Sequence, residues 1–141
     1  MKYARINLTV GKYMQLTNWD IIHTPNISEL NRIYKTYCEY KNFESVMPIF
    51  DQEYLNSDTD VFGYYHQLEL VAFSLIKRHD SINAESIQFA WNYKHPKLRL
   101  GIQSLNHECA IYKSYGFKYL YIGVADEYKQ EIDGFEIIGK L

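Results

Sequence analysis

The chain has 141 residues, of which 47% are hydrophobic and 23% charged, and its formal net charge is −2. This composition is typical of a single globular domain spanning residues 1–141 and argues against intrinsic disorder. The slightly negative balance excludes the basic signature of a protein that binds duplex DNA. Aromatic residues reach 16%, and 14 residues are tyrosine. Such an excess indicates either core packing or the wall of a binding site.

The sequence shows no secretory signal near its start and no apolar run of the roughly 18 residues that a membrane span needs. We therefore expect a cytoplasmic protein without a membrane partner. The two cysteines, Cys38 and Cys109, lie far apart and show no metal-ligand spacing. We expect two buried free thiols and no metal site.

The first third of the chain predicts two strands and two helices. Residues 3–10 and 12–17 have the short, mixed pattern of strands. The residues that follow a capping Asn26 or Ser28 recur at helical spacing for about four turns. A weaker helical pattern covers residues 47–56.

The middle of the chain predicts three antiparallel strands. Residues 61–65 and 68–76 are strand-like, and a tight turn at 66–67 joins them. Residues 86–93 alternate most regularly of all. Their large side chains are predicted to share one face: Ile87, Phe89, Trp91 and Tyr93. Short loops without a helical pattern connect the three strands, which indicates a meander.

The helical period returns over residues 101–115, and Gly116 is placed to end that helix. Residues 117–124 and 135–138 predict two further strands, and residues 126–132 either a short helix or a loop. We therefore predict an α/β (α+β) fold with a mixed, mostly antiparallel central sheet flanked by helices.

The junction before the second long helix carries the most chemistry. A glycine at a helix entry, here Gly101, leaves backbone N–H groups unpaired at the positive end of the helix dipole. Such groups form a site for pyrophosphate or another phosphate. Nearby basic side chains are expected to add positive charge there: Lys94, His95, Lys97 and Arg99. The alternative is a glycine that only allows close packing, beside solvated charges.

The order of elements, and His95-Pro96 followed by Arg99 and Gly101, resemble the GCN5-related N-acetyltransferase (GNAT) fold. The segment 115–124 resembles the one that follows the corresponding helix in that family. The resemblance implies transfer of an acyl group from acetyl-CoA or another acyl-CoA to an amine on a protein or small molecule. It also implies a strand that splays from its neighbour to bind the donor. The residues it assigns to donor binding are Trp91, Asn92, Tyr93, Arg99, Leu100, Gly101, Ile102, Gln103 and Ser104.

The sequence departs from the family pattern in two ways. Leu98 and Gln103 stand where the family loop has other residue types, and no carboxylate lies between Glu85 and that loop, where the family often has a glutamate base. Tyr128 follows the next strand where the family often has an acid tyrosine, and Glu85 is our candidate to relay a proton. We interpret Glu108 as a solvated charge or one that stabilises its helix.

A narrower resemblance concerns arginyl-tRNA–protein transferases. It rests on residues 98–105, on Glu108, and on the tyrosine-rich segment 119–123. That branch implies aminoacyl-tRNA as the donor and tRNA as a partner. The other hypothesis, favoured by the departures above, is a catalytically inactive GNAT-like module that binds a partner. The oligomeric state stays open, a dimer included.

Overall fold

A computed structural model describes residues 2–42 and 52–140, which form seven strands and two α-helices. In chain order these are β1 (Lys2–Asn7), β2 (Trp19–Ile21), α1 (Ile27–Tyr40), β3 (Thr59–His66), β4 (Glu69–Arg78), β5 (Asn83–Trp91), α2 (Leu100–Ser114), β6 (Tyr119–Val124) and β7 (Phe135–Lys140). Neither helix is long and apolar enough to cross a membrane, as far as the described residues extend.

All seven strands belong to one sheet, in the order β2-β3-β4-β5-β6-β1-β7. Strands β3, β4 and β5 form the predicted antiparallel meander. The pairing of β5 with β6 is parallel, and the other pairings are antiparallel. The predicted fold class, a mixed and mostly antiparallel sheet flanked by helices, is confirmed.

Helix α1 covers one face of the sheet. Its cap is Asn26, whose side-chain oxygen accepts a hydrogen bond of 3.1 Å from the backbone N–H of Glu29. This bond satisfies one of the N–H groups that a helix start leaves unpaired. The apolar stripe of the helix is buried against Phe73 and Leu75 of β4, and its buried residues are Leu30, Ile33, Tyr34 and Cys38.

Helix α2 covers the opposite face and packs into the larger of the two cores. The helix ends at Ser114, and Gly116 follows with a left-handed φ of 89°. Glycine adopts that conformation without steric cost, as the sequence led us to expect. Cys38 of α1 and Cys109 of α2 are both fully buried free thiols.

The strand predicted over residues 12–17 is wrong, since no strand lies between β1 and β2. Three alternate backbone N–H groups of this segment donate to side chains instead of to a neighbouring strand. Lys12 donates to Asp133, Met14 to Asn106 and Leu16 to Nδ1 of His107. Side-chain acceptors distant in sequence therefore replace a β-ladder, and the alternation of residue types does not reveal them.

The helix predicted over residues 47–56 falls mostly outside the described residues, and its described end is a 3₁₀ turn at Glu53–Leu55. The segment predicted over 126–132 as a short helix or a loop contains a 3₁₀ helix at Glu127–Glu131.

The predicted common face of β5 is also wrong. Leu75 of β4 pairs with Gln88 and Ile76 pairs with Ser86, so that Ile87 is the extra residue of a β-bulge. A bulge reverses the facing of the residues beyond it. Ile87 accordingly packs in the α1 core, whereas Phe89 and Trp91 pack in the α2 core.

We predict that Gly134→Ala destabilises the fold more than Gly116→Ala does. Both glycines have left-handed φ angles, of 85° and 89°, where alanine costs roughly 1–2 kcal/mol. A Cβ at Gly134 would also collide with the backbone carbonyl of Asn7, while a Cβ at Gly116 would meet nothing. Urea denaturation of both variants measures the difference. Equal losses of unfolding free energy would contradict the close approach of residue 134 to β1.

Candidate functional site

Strands β5 and β6 pair over only three residues and then separate. Their parallel register joins Asn83 to Tyr119, Ala84 to Leu120 and Glu85 to Tyr121, and it ends there. On the β6 side, residues 86–89 of β5 have no partner strand among the described residues.

A bulge lies just beyond the last pair in each strand. In β5 the extra residue is Ile87, and in β6 it is Ile122, because Tyr121 and Gly123 pair with adjacent residues of β1. Gly123 completes the β6 bulge with a φ of 68°. Bulges bend a strand and increase its twist. The two bulges therefore direct the strands away from each other.

The separated strands enclose a cavity of about 380 Å³, which we call the β5–β6 cleft. Both strands, α1, α2 and the segment after β6 contribute to its walls. The lining residues are Tyr37, 86–89, Gly101, Ser104, Leu105, Glu108, 122–124, Asp126, Tyr128 and Lys129.

The start of α2 lies at this cleft. The backbone N–H of Gln103 donates to the carbonyl of Arg99, so the N–H groups of Leu100, Gly101 and Ile102 precede the first hydrogen bond within the helix. A Cβ added at Gly101 would approach Tyr128 and Phe89 no closer than 3.9 Å. The fold therefore has room for a side chain at this position, and that room belongs to the cleft.

A shallower depression of about 270 Å³ adjoins the cleft at Gly101 and Tyr128. It brings together five residues that the sequence assigned to donor binding: Trp91, Arg99, Leu100, Gly101 and Ile102. The guanidinium of Arg99 lies 3.9 Å from the carboxylate of Glu131, and both side chains are largely exposed.

The structure does not bring the other predicted donor residues to the same place. Asn92 lines a separate depression beside α1, and its backbone N–H donates to the carbonyl of Val71. Tyr93 has a left-handed φ of 61°, and its ring stacks on that of Tyr40 at 3.7 Å. Gln103 is exposed and lines neither the cleft nor the depression beside it.

Ser104 is buried and lines the cleft. Its hydroxyl donates to the carbonyl of Gly101 at 3.1 Å.

The expected concentration of positive charge at Gly101 is only partly present. The ammonium of Lys94 lies 3.0 Å from Glu69, and the ring of His95 lies 3.9 Å from the same carboxylate. The hydrogen bond from Lys94 is the main reason why the pKa of Glu69 is lowered. Lys94 and His95 are therefore paired with Glu69 of β4, and Arg99 is the basic residue that lines the depression at the helix start.

The two predicted catalytic residues lie apart. Tyr128 lines the cleft beside Gly101, and partial burial, with Tyr37, Asp126 and Glu108 nearby, raises the pKa of its phenol. Glu85 belongs to the last paired position of β5 and lies 2.8 Å from the ring of His79. That carboxylate is not among the residues that line the cleft.

Lys129 donates hydrogen bonds to the unpaired edge of β6. Its ammonium donates to the carbonyls of Ile122 at 2.9 Å and Val124 at 3.1 Å, and it lies 3.2 Å from Asp126. These carbonyls therefore have a hydrogen-bond donor where the strand has separated from β5.

Glu108 is a buried residue of the cleft that sequence reasoning did not place there. Its side chain is 2% exposed, lines the cleft and accepts a hydrogen bond of 2.5 Å from the hydroxyl of Tyr64. Burial raises the pKa of this carboxyl from 4.5 to about 7. The interpretation as a solvated charge is wrong. The signal was its helical spacing from Gly101 and Ser104, which places the three residues on one face of α2.

Among the described residues, no cluster of histidine, cysteine, aspartate or glutamate side chains is arranged to hold a metal ion.

We predict that Glu108 makes the fold less stable as the pH rises from about 4.5 to about 7. Over this range the carboxyl keeps its proton in the folded protein and loses it in the unfolded chain. The free energy of unfolding therefore falls as the pH rises and is constant above about pH 7. The shift corresponds to about 3 kcal/mol. Urea titrations should show this pH dependence in the native protein and its loss in Glu108→Gln. If the unfolding free energies of the two proteins changed with pH in the same way, the titration of a buried Glu108 would be contradicted.

Comparison with known proteins finds the fold but no close relative. No family model and no curated protein matches the sequence. The C-terminal domain of a protein assigned as a lysylphosphatidylglycerol synthetase from Agrobacterium fabrum is similar, with a TM-score of 0.67 and 13% identity over 88% of this chain. This chain spans 46% of that one, so less than half its length.

Two acetyltransferase structures are also similar. The ribosomal-protein-S18-alanine N-acetyltransferase from Escherichia coli has a TM-score of 0.64 and 14% identity, over 77% of this chain and 67% of its own. A GNAT family acetyltransferase from Elizabethkingia anophelis with acetyl-CoA bound has a TM-score of 0.55 and 18% identity, over 82% of this chain and 71% of its own. With its splayed strands and the helix that starts beside them, the chain has the fold of the GCN5-related N-acetyltransferases.

Proposed function

We propose that the protein is an N-acyltransferase that moves an acyl group from acyl-CoA, with acetyl-CoA as the simplest donor, to an amine. The observation that carries this proposal is the β5–β6 cleft, which opens between two bulged strands and has the N-terminus of α2 at its mouth. A thioester of CoA supplies the activated acyl group, and the chain has to bind, orient and protonate the reacting groups.

The cleft suits an extended donor that ends in phosphates. The free edge of β5 at residues 86–89 offers backbone groups to an amide-containing arm, apart from the carbonyl of Phe89, which accepts a hydrogen bond from the side-chain amide of Gln88. The N–H groups of Leu100, Gly101 and Ile102 and the cation of Arg99 offer an anion site. The open space where a Cβ of Gly101 would project supports the close approach of a ligand at this point.

Tyr128 is our candidate for the acid that protonates the leaving thiolate. It lies at the cleft beside Gly101, and like any tyrosine phenol it carries its proton at neutral pH. Backbone N–H groups on the free edge of β5 are the candidate donors to the negative oxygen that develops on the acyl carbonyl. Asn92 is excluded from that role, because its N–H is already bonded to Val71.

An aminoacyl donor is the second candidate. It is favoured by the similarity to a protein assigned as a synthetase of a lysyl-bearing lipid, and by the sequence resemblance to arginyl-tRNA–protein transferases. The phosphates of a tRNA 3′ end would use the same N–H groups at the start of α2. Binding measurements with both donors distinguish the two cases.

We predict that Gly101→Leu weakens binding of acetyl-CoA at least about tenfold without unfolding the protein. The leucine Cβ fits at 3.9 Å from its nearest neighbours, but the rest of the side chain projects into the cleft that the donor would occupy. Calorimetric titration with acetyl-CoA measures affinity, and the thermal midpoint without ligand reports folding. A bound ligand raises the midpoint of the native protein but should raise that of the variant much less.

Gly139→Leu is the matched control. Gly139 lies in β7 outside the cleft, has no atom within 4 Å of an added Cβ, and should keep its donor affinity. Unchanged affinity in a folded Gly101→Leu variant would contradict the donor site. Binding of aminoacyl-tRNA but not of acetyl-CoA would favour the second donor, and binding of neither would favour the inactive module.

We predict that Tyr128→Phe lowers kcat for acetyl transfer roughly 100-fold, the usual size of a lost general acid, while donor affinity stays within about twofold. The phenyl ring fills the same space in the wall of the cleft, and the substitution removes only the proton donor. Acetyl-transfer assays quenched at fixed times, with a peptide that has an N-terminal alanine as the acceptor, measure the rate. A rate equal to that of the native protein would assign Tyr128 a packing role.

A further inference from the structure

We propose that Glu108 is the group that takes the proton from the acceptor ammonium, in place of a carboxylate on β5. This inference rests on the proposed function and names the base for the same cleft.

The position of Glu108 places it beside the reacting part of the cleft. Gly101, Ser104 and Glu108 follow at helical spacing on the face of α2 that lines the cleft. Glu108 follows Gly101 by seven positions, or about 10 Å along the helix axis. A donor whose phosphates lie at the start of α2 would therefore extend along this face toward Glu108.

The carboxyl is held in place and keeps one oxygen available. Tyr64 is fully buried, and its hydroxyl donates to Oε2 at 2.5 Å. Among the described residues no hydrogen bond reaches Oε1, and the buried, unpaired hydroxyl of Ser74 on β4 lies close enough to favour the ionised form of the carboxyl. A base must have a fixed orientation and a free lone pair, and this arrangement supplies both.

The other carboxylates near the cleft are already paired. Asp126 lies 3.2 Å from Lys129 and is half exposed at the mouth. Glu85 lies 2.8 Å from His79 and outside the lining. Of the carboxylates that line the described cleft, Glu108 alone has no cationic partner.

The surroundings of Glu108 bring the pKa of its carboxyl close to neutral pH. The groups that face it are phenols, a thiol, a hydroxyl and the paired charges at the mouth: Tyr64 from β3, Ser74 from β4, Tyr37 from α1, Tyr112 and Cys109 from α2, and Asp126, Tyr128 and Lys129 after β6. Lys129 is bound to Asp126 and to two carbonyls. Burial therefore dominates, and it raises the pKa of Glu108 to about 7.

The reaction balances as follows. The carboxylate of Glu108 takes one proton from R–NH₃⁺, and the free amine forms a C–N bond to the carbonyl carbon of the thioester. The C–S bond then breaks, and the thiolate takes the proton of Tyr128. The nitrogen loses its second proton to the Tyr128 phenolate, and Glu108 returns its proton to water. The products are the amide, CoA–SH and one proton.

The test compares native protein, Glu108→Gln and the exposed control Glu39→Gln on α1, with acetyl-CoA and an alanine-starting peptide. We expect Glu108→Gln to keep donor affinity within twofold and to lose roughly 100-fold in kcat/KM. The native rate should rise with pH and level off above about 7, because only the ionised carboxylate accepts a proton. The rate of Glu108→Gln should not show this rise with pH, whereas the rate of Glu39→Gln should.

A second acceptor separates a base from a structural residue. Hydroxylamine is already neutral at neutral pH and needs no proton removed before attack, so the loss in Glu108→Gln should shrink to a few-fold. The proposal would be overturned if Glu108→Gln kept the native rate and the native rise of the rate with pH. It would also be overturned if the variant lost the same factor in rate with the peptide and with hydroxylamine. If the native protein binds acetyl-CoA but acylates no probe amine, the base assignment fails while the donor site stands. If it binds no acetyl-CoA, both fail.

Discussion

The site depends on the separation of two parallel strands after a short pairing. A β-strand that loses its neighbour exposes N–H and C=O groups that must find other partners. Here the bulges at Ile87 and Ile122 bend β5 and β6 apart directly after the pair Glu85–Tyr121. Helix α2 packs beneath the gap and contributes Gly101 at its mouth and Glu108 deeper inside. The sheet therefore has an unpaired strand edge in its own interior, between the two helical layers.

Periodicity predicted the helices and the meander well, because each depends on residues close in sequence. Of the two residues expected to cap α1, Asn26 does so, and Gly116 follows α2 with the left-handed φ that such a glycine provides. Predictions failed where partners come from far along the chain. Residues 12–17 form no strand, and Asp133, Asn106 and His107 accept hydrogen bonds from three of their N–H groups. The bulge at Ile87 follows from pairing with β4, so the alternation in β5 alone gave the wrong face.

The candidate site was predicted at one end and missed at the other. Gly101 and Arg99 could be found from sequence, because a glycine at a helix entry has a local chemical meaning. Lys94 and His95 turned out to face Glu69, which a one-dimensional count of charges cannot anticipate. Glu108 was assigned to solvent because carboxylates are seldom buried. Its helical spacing from Gly101 pointed to the cleft, but only the strand separation shows that a cleft exists on that face.

The hydrogen bonds of Lys129 bear on how a donor would enter the β5–β6 cleft. Its ammonium bonds the carbonyls of Ile122 and Val124, so these acceptors on β6 are satisfied while the cleft is open. An open edge with satisfied carbonyls has little tendency to close by pairing with β5. A donor at the proposed site would meet a gap that already exists and would not have to separate the strands first. Such binding would be preorganised, so that little of the interaction energy would be spent on rearranging the protein and association would need no slow conformational step.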